Sequence, residues 1–144
     1  MKDRGKLLIT PLPVDRKVQI YQVNKSCSKM KEPLNIKFSE VHNSKNFEVV
    51  RGNTTGLFDH SNLNFPLSIR KWTPGDFFYP YGMKGVKKLS DYFTDEKLSP
   101  VDKENIWLLC NNNDIIWIIG HRTDNRYRVT SKTKKVYIAE LISK

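Results

Sequence analysis

The chain has 144 residues, enough for one domain with its own hydrophobic core, and 25 Lys and Arg against 15 Asp and Glu give it a formal net charge of +10. No apolar run approaches the roughly 18 residues of a membrane span, and no N-terminal segment reads as a signal peptide, so we expect no membrane partner. A positive field this strong on a small domain favours RNA or DNA as the partner, with an ordinary solvated surface as the alternative.

Short strands dominate the first predicted elements. The segment 34–38 alternates apolar and polar residues with the period of a half-buried strand. The segment 67–70 does the same and places Arg70 on the face opposite Ile69. The chain starts abruptly, close to strand-forming sequence, which is typical of a fragment of a longer protein, although a natural start stays open.

Two short helices are predicted next. From Leu89, apolar residues recur at i, i+3 and i+4, which gives a helix one apolar face. A second helix is expected to begin after Ser99, because Pro100 suits the first helical position and Asp102 stands where a capping box needs an acceptor.

The remaining elements are strands again. The apolar runs Ile106–Cys110 and Ile115–Ile119 flank an Asn-rich tract, the pattern of a hairpin. A last strand is predicted over Val136–Leu141. These patterns predict an α+β domain, predominantly β, with one or two short helices inserted.

The densest group of cations lies at a pair of glycines. In Gly82-x-x-Gly85 the backbone can approach a ligand closely. Lys84 lies between the glycines and Lys87 and Lys88 follow them, so the three would sit at the start of the first predicted helix. We call residues 82–88 the lysine turn and predict that its three lysines contact nucleic-acid phosphates. The neighbouring aromatic residues are expected either to stack on bases or to pack on their own core: Phe77, Phe78, Tyr79 and Tyr81.

A second basic cluster lies downstream and contains Arg122, Arg126 and Arg128. A strand here would place Arg126, Arg128 and Thr130 on one face, about 7 Å apart, which is close to the spacing of successive phosphates. Asp124 is a candidate ion-pair partner for one of these arginines. With Arg70 and the lysine turn, these residues complete the predicted nucleic-acid contacts.

Catalytic and metal chemistry find little support in the sequence. Cys27 and Cys110 are far apart and no Cys/His ligand spacing exists, so we predict no metal site, and the lack of a disulfide framework fits a reducing cytoplasm. There is no nucleotide-binding glycine loop of either common type. His121 is expected to be structural or to contact RNA, and a small hydrolase that uses it is the weakest alternative.

Several segments resemble the C-terminal domain of the tRNA(Ile)-lysidine synthetases. They are Trp72–Asp76 (WTPGD), Pro80–Phe93 (PYGMKGVKKLSDYF), Ile116–Thr130 (IWIIGHRTDNRYRVT) and Thr133–Val136 (TKKV). The resemblance covers roughly residues 57–141 with order and spacing intact. It implies a β-sandwich-like tRNA-binding domain with short helices over 57–144. Residues 1–56 are expected to be a β-rich N-terminal segment that belongs to the same domain or links to it.

The resemblance implies a function as well. Enzymes of this family are ATP-dependent ligases that adenylate the wobble cytidine of tRNA(Ile) with a CAU anticodon and then attach lysine to it. ATP, with Mg²⁺, and lysine are used by an N-terminal domain whose Ser-Gly-Gly-x-Asp-Ser loop is absent here, so the chain itself is expected to hold no cofactor and no catalytic residue.

The C-terminal domain is expected to bind the tRNA at its acceptor end, in a cytoplasmic enzyme for which the family allows a homodimer. The resemblance carries this role best to Lys84, Lys87, Lys88, Arg122 and Arg126. With Arg70 and Arg128, they are the predicted tRNA-binding residues. A stand-alone RNA-binding module without ligase activity is the alternative.

Overall fold

The computed structural model describes residues 20–43 and 54–143, so most of the 1–56 segment whose role was left open lies outside the described residues. Ten strands and two helices form the described part: β1 (Tyr21–Val23), β2 (Lys29–Met30), β3 (Asn35–His42), β4 (Thr55–Asp59), β5 (Leu67–Lys71), β6 (Phe77–Phe78), β7 (Lys87–Lys88), α1 (Leu89–Asp95), α2 (Pro100–Glu104), β8 (Trp107–Asn111), β9 (Asp114–Ile118) and β10 (Lys135–Ser143).

The strands form two four-stranded antiparallel sheets and a two-stranded ribbon. The first sheet has the order β1-β5-β8-β9, the second has the order β2-β3-β10-β4, and β6 pairs with β7. Strands β1 to β3 lie upstream of residue 57 and join both sheets, so they are part of the sandwich.

Two cores hold these layers together. The core between the sheets contains Phe38 and Tyr137 from the second sheet and Leu109 and Trp117 from the first. A second core, on the other face of the first sheet, includes Phe93 and the rest of the apolar face of α1. The order of layers is therefore sheet, sheet, helix, which confirms the predicted β-sandwich-like fold with inserted helices.

Strand β8 contributes to both cores because successive side chains of a strand point to opposite faces. Leu109 enters the core between the sheets, while Leu108 and Cys110 enter the helical core. Strands β8 and β9 form the predicted hairpin, with a turn at Asn112 that is shorter than the predicted Asn-rich tract. Asn112 has a φ of 55°, a left-handed conformation that asparagine tolerates.

Both helices begin where the sequence predicts. Helix α1 starts at Leu89 and buries Leu89, Tyr92 and Phe93. Helix α2 has Ser99 as its N-cap, with the reciprocal bonds of a capping box: Asp102 N–H donates to Ser99 Oγ and Ser99 N–H donates to Asp102 Oδ2, both at 3.1 Å. Among the described residues no helix is long and apolar enough to cross a membrane.

The prediction of a strand through Arg126, Arg128 and Thr130 is wrong. Asn125–Tyr127 is a single 3-10 turn, and Asp124 caps it by accepting a hydrogen bond from Arg126 N–H at 2.7 Å. Tyr127 turns inward and is 8% exposed. The arginines therefore do not form a regular row along one strand face.

Candidate nucleic-acid interface

An extended segment over residues 77–81 joins the two basic clusters. On one side, Phe77 pairs with Lys88 and Phe78 pairs with Lys87 in the β6–β7 ribbon. On the other side, Tyr81 N–H donates to Thr123 O at 3.0 Å, and Asn125 N–H donates to the Tyr79 carbonyl. The lysine turn and the segment 122–128 thus become neighbours, although about 35 residues separate them in sequence. We call residues 77–88 together with 122–128 the basic edge.

Side chains of the extended segment alternate between core and solvent. Phe78 and Pro80 are buried, whereas Phe77 and Tyr81 are 48% and 38% exposed and Tyr79 is half-buried. Because alternate residues of an extended chain share a face, Phe77, Tyr79 and Tyr81 form one row on the outside. Phe78 therefore packs in the core, which was one of the two alternatives for these aromatic residues. Stacking on bases, the other alternative, stays a prediction for Phe77, Tyr79 and Tyr81.

The lysine turn is shaped by its glycines. Gly82 and Gly85 have φ of 83° and 85°, a region costly for other residues, and Met83 N–H donates to Pro80 O at 3.0 Å. A side chain at either glycine would meet nothing within 4 Å, so backbone conformation rather than packing demands glycine here. Lys84 lies on this turn and is exposed.

Lys87 and Lys88 point to opposite faces of the ribbon. Lys88 is opposite Phe77 and exposed, so it lies on the outer face beside the aromatic row. Lys87 forms an ion pair with Asp95 of α1. All three lysines of the turn line an open groove of about 640 Å³ between the turn and α1, together with the carboxylates of Asp91 and Asp95.

The N-terminus of α1 adds little to anion binding. The helix has only seven residues, and its Leu89 N–H is already bound to the Asp76 carbonyl at 3.0 Å. Lys88 is the N-cap residue and makes no side-chain capping bond. The three lysines nevertheless line one groove at the start of this helix, and their contact with phosphates stays a prediction.

Arg122 extends the basic edge toward the lysine turn. Its Nη1 donates a weak hydrogen bond to the thioether of Met83 at 3.6 Å, and Met83 is 44% exposed. This contact joins the two basic clusters directly. Arg128 is exposed two residues beyond Arg126, and its Nη1 donates to Asn125 O at 2.9 Å.

Arg126 is held by a buried carboxylate. Asp124 is 0% exposed and accepts hydrogen bonds from Arg126 Nε at 3.1 Å, Arg126 Nη2 at 3.0 Å and Tyr79 N–H at 2.9 Å. Asp114 adds an ion pair to Arg126 Nη1 at 3.3 Å, and the guanidinium lies 4.3 Å from the centroid of the Tyr79 ring. Burial acts to lower the pKa of Arg126, but the bond to Asp124 and the nearby carboxylates outweigh it and raise the pKa, so this residue stays cationic.

Arg70 is bound within the domain. Its Nη1 and Nη2 donate to the two carboxylate oxygens of Asp76 at 2.9 and 3.0 Å, and Asp76 also accepts from Thr73 N–H at 2.7 Å. The bond to Asp76 raises the pKa of Arg70 against the effect of burial. Arg70 thus organises the turn that precedes β6, and of the seven predicted contact residues it has the least capacity left for a phosphate.

A second groove, of about 590 Å³, is lined by His121 and Asp102 among other described residues, and its described lining includes no serine, threonine or cysteine. Burial raises the pKa of the Cys110 thiol to about 11, so it is protonated and inert at neutral pH. The described residues also contain no group of three His, Cys, Asp or Glu side chains that could hold a metal ion.

The architecture defines a class: a β-sandwich with a helical layer on one sheet and a basic edge at that layer. The same fold is found in a solved TilS C-terminal domain, which matches with a TM-score of 0.65 and 15% identity over 88% of this chain and all of that one. The family described as TilS substrate C-terminal domain matches residues 67–140, and the chain belongs to that family.

Curated relatives agree with this assignment. The tRNA(Ile)-lysidine synthase of Parabacteroides distasonis is 39% identical over 142 residues, which cover 99% of this chain and 32% of that protein. The tRNA(Ile)-lysidine synthase of Bacteroides thetaiotaomicron is 39% identical over 143 residues, which cover 99% of this chain and 30% of that protein. The chain thus spans about a third of the length of these relatives.

Proposed function

We propose that this chain is the tRNA-binding domain of a cytoplasmic tRNA(Ile)-lysidine synthase. In the whole ligase, ATP with Mg²⁺ and lysine would be used by the N-terminal part, on tRNA(Ile) with a CAU anticodon, while this domain binds the acceptor end. A homodimer of the whole enzyme is compatible with this arrangement. The folded unit would include residues upstream of 57, because β1 belongs to the first sheet and β3 belongs to the second.

The observation that carries the proposal is the pairing of residues 79–81 with 123–125. It turns two basic clusters that are distant in sequence into one surface, with Lys84, Lys88, Arg122 and Arg128 exposed or at its rim. Phosphate contacts from lysine and arginine supply most of the sequence-independent affinity for nucleic acid. A fixed surface that carries several such side chains suits a tRNA backbone.

The test compares two pairs of lysines. Lys84→Ala with Lys88→Ala removes two charges from the basic edge. Lys29→Ala with Lys37→Ala removes two charges from exposed, cross-strand neighbours on the second sheet, in the layer farthest from the helices. Affinity for tRNA would be measured by titration at several salt concentrations.

The first variant should reduce the slope of log K against log salt by about 1.4 to 1.8, since each phosphate contact contributes about 0.7 to 0.9. The second variant should change the slope by less than half of that. Equal effects of the two variants would mean that only overall charge matters, and the basic edge would then not be the tRNA-binding site.

A further inference from the structure

Exposed apolar side chains are concentrated at the basic edge. Of the seven large hydrophobic residues that are exposed among the described ones, four lie between residues 77 and 86: Phe77, Tyr81, Met83 and Val86. Apolar rings that face water are unusual in the middle of a cationic surface, because they gain nothing there from phosphate contacts. They indicate a ligand that offers apolar faces as well as charge.

Cations border this row of rings closely. Lys88 is the cross-strand neighbour of Phe77, the Arg126 guanidinium lies 4.3 Å from the Tyr79 ring centroid, and Arg122 reaches Met83 next to Tyr81. A positively charged groove with aromatic side chains is the common design of sites for single-stranded nucleic acid, where bases stack on rings and on guanidinium planes.

Ring geometry does not suit bases that are stacked within a duplex. The centroids of Phe77 and Tyr79 are 6.3 Å apart and their planes meet at 77°. Bases within a duplex strand are parallel and about 3.4 Å apart, and their faces are covered by neighbouring bases. Two successive bases can stack on rings placed in this way only if they have separated from each other.

We propose that Phe77, Tyr81 and the Tyr79–Arg126 pair bind the unpaired nucleotides that extend from the acceptor stem of the tRNA. The inference rests on the proposed function, because a tRNA has unpaired nucleotides directly beside a duplex end that the neighbouring lysines and arginines would bind. Phe77 and Tyr81 are 48% and 38% exposed, and each would stack on one base. Arg126, fixed by Asp124 over Tyr79, would stack on another base through its guanidinium.

The test uses the 144-residue chain and two RNAs: a tRNA with its complete 3′ end and the same tRNA truncated at the last base pair of the acceptor stem. Phe77→Leu with Tyr81→Leu keeps apolar volume but removes both rings. Phe77→Tyr with Tyr81→Phe keeps the rings and is the rescue variant. Val101→Ala, at a residue that is 66% exposed on α2, is the matched control for loss of an exposed apolar side chain.

We expect the unaltered chain to bind the complete tRNA at least about tenfold more tightly than the truncated one, since stacking of two bases is worth at least that factor. The leucine variant should bind both RNAs alike, at the weaker affinity. The rescue and control variants should keep the preference. Retained preference in the leucine variant would overturn the proposal.

Equal binding of the two RNAs by the unaltered chain, with strong salt dependence, would reject the stacking row while the proposed tRNA-binding function stands. Failure to bind either RNA would reject the proposed function and the stacking row together. The exposed rings would then fit a protein partner better.

Discussion

Asp124, which is entirely buried, binds Arg126 through both Nε and Nη2, at 3.1 and 3.0 Å. The same carboxylate accepts the N–H of Tyr79 and the N–H of Arg126, so it joins the extended segment 77–81 to the 3-10 turn. One side chain thereby fixes the position of an arginine and the junction between two basic segments.

Asp124→Asn should therefore destabilise the fold. The amide has only one acceptor oxygen for four N–H donors, and its NH₂ group would face donors. We expect a loss of about 2 kcal/mol in the free energy of unfolding, typical of hydrogen bonds to a charged group, in urea titrations. Asp95→Asn, at a carboxylate whose side chain is 58% exposed, is the control and should cost less than about 0.5 kcal/mol. Similar losses for the two variants would contradict the central role of Asp124.

Lys87 and Lys88 provide a comparison between adjacent residues. Lys88→Ala should weaken tRNA binding and reduce the salt slope by about 0.7 to 0.9, because this lysine lies on the outer face beside Phe77. Lys87→Ala with Asp95→Ala removes an ion pair at constant net charge and should change affinity less than about twofold. A larger effect from the ion-pair variant, seen in the same titrations, would place the binding face on the α1 side of the ribbon.

The two cysteines should differ in reactivity. At pH 8 the native chain should react with iodoacetamide at Cys27, which is half-buried, long before Cys110, which is 1% exposed. The modified residue would be found by peptide mass mapping. Rapid alkylation of Cys110 without unfolding would show that the helical core opens readily.

Stability should fall at alkaline pH through Cys110. Its pKa is about 11 in the folded protein against an ordinary value of 9.0, so the protonated thiol favours the folded state fully below pH 9, and this contribution is lost as the pH rises to 11. Two pKa units correspond to about 2.7 kcal/mol at most. Cys110→Ala should make unfolding free energies less dependent on pH between 9 and 11. An unchanged dependence would mean that buried tyrosines dominate this range.

The isolated chain should be inactive as a ligase. Its sequence lacks the Ser-Gly-Gly-x-Asp-Ser loop, and so neither ATP–pyrophosphate exchange nor transfer of lysine to tRNA is expected. Radiolabelled pyrophosphate and lysine would measure both steps. Turnover in either assay by the pure chain would contradict the prediction. The hydrolase alternative needs its own test, in which hydrolysis by the chain would have to disappear in a His121→Ala variant.

Elements set by local chemistry were predictable from the sequence. The capping box at Ser99, the apolar face that starts at Leu89 and the Asn-rich hairpin turn each depend on residues within a few positions of one another. Two helices and a hairpin could therefore be located before any tertiary contact was known.

Long-range contacts account for what the sequence did not reveal. Alternation of Arg126, Arg128 and Thr130 fits a strand, but Asp124 is buried by packing and captures the backbone of Arg126 into a turn. Likewise, only the pairing of residues 79–81 with 123–125 brings the basic clusters together. The ion pair between Asp124 and Arg126 had a signal in the sequence, because an acidic residue stands two positions from an arginine. The contact between Asp124 and Tyr79 had none, since the two residues are far apart in the chain.

The position of β8 has a mechanical consequence. Its Leu108 and Cys110 are locked into one core and its Leu109 into the other, so neither core can open without exposing the other. The two layers should therefore unfold as one cooperative unit, and the amides of β8 should be among the last to exchange with deuterated water. Under the proposed function, a ribbon attached to such a frame would lose little conformational entropy when RNA docks on it.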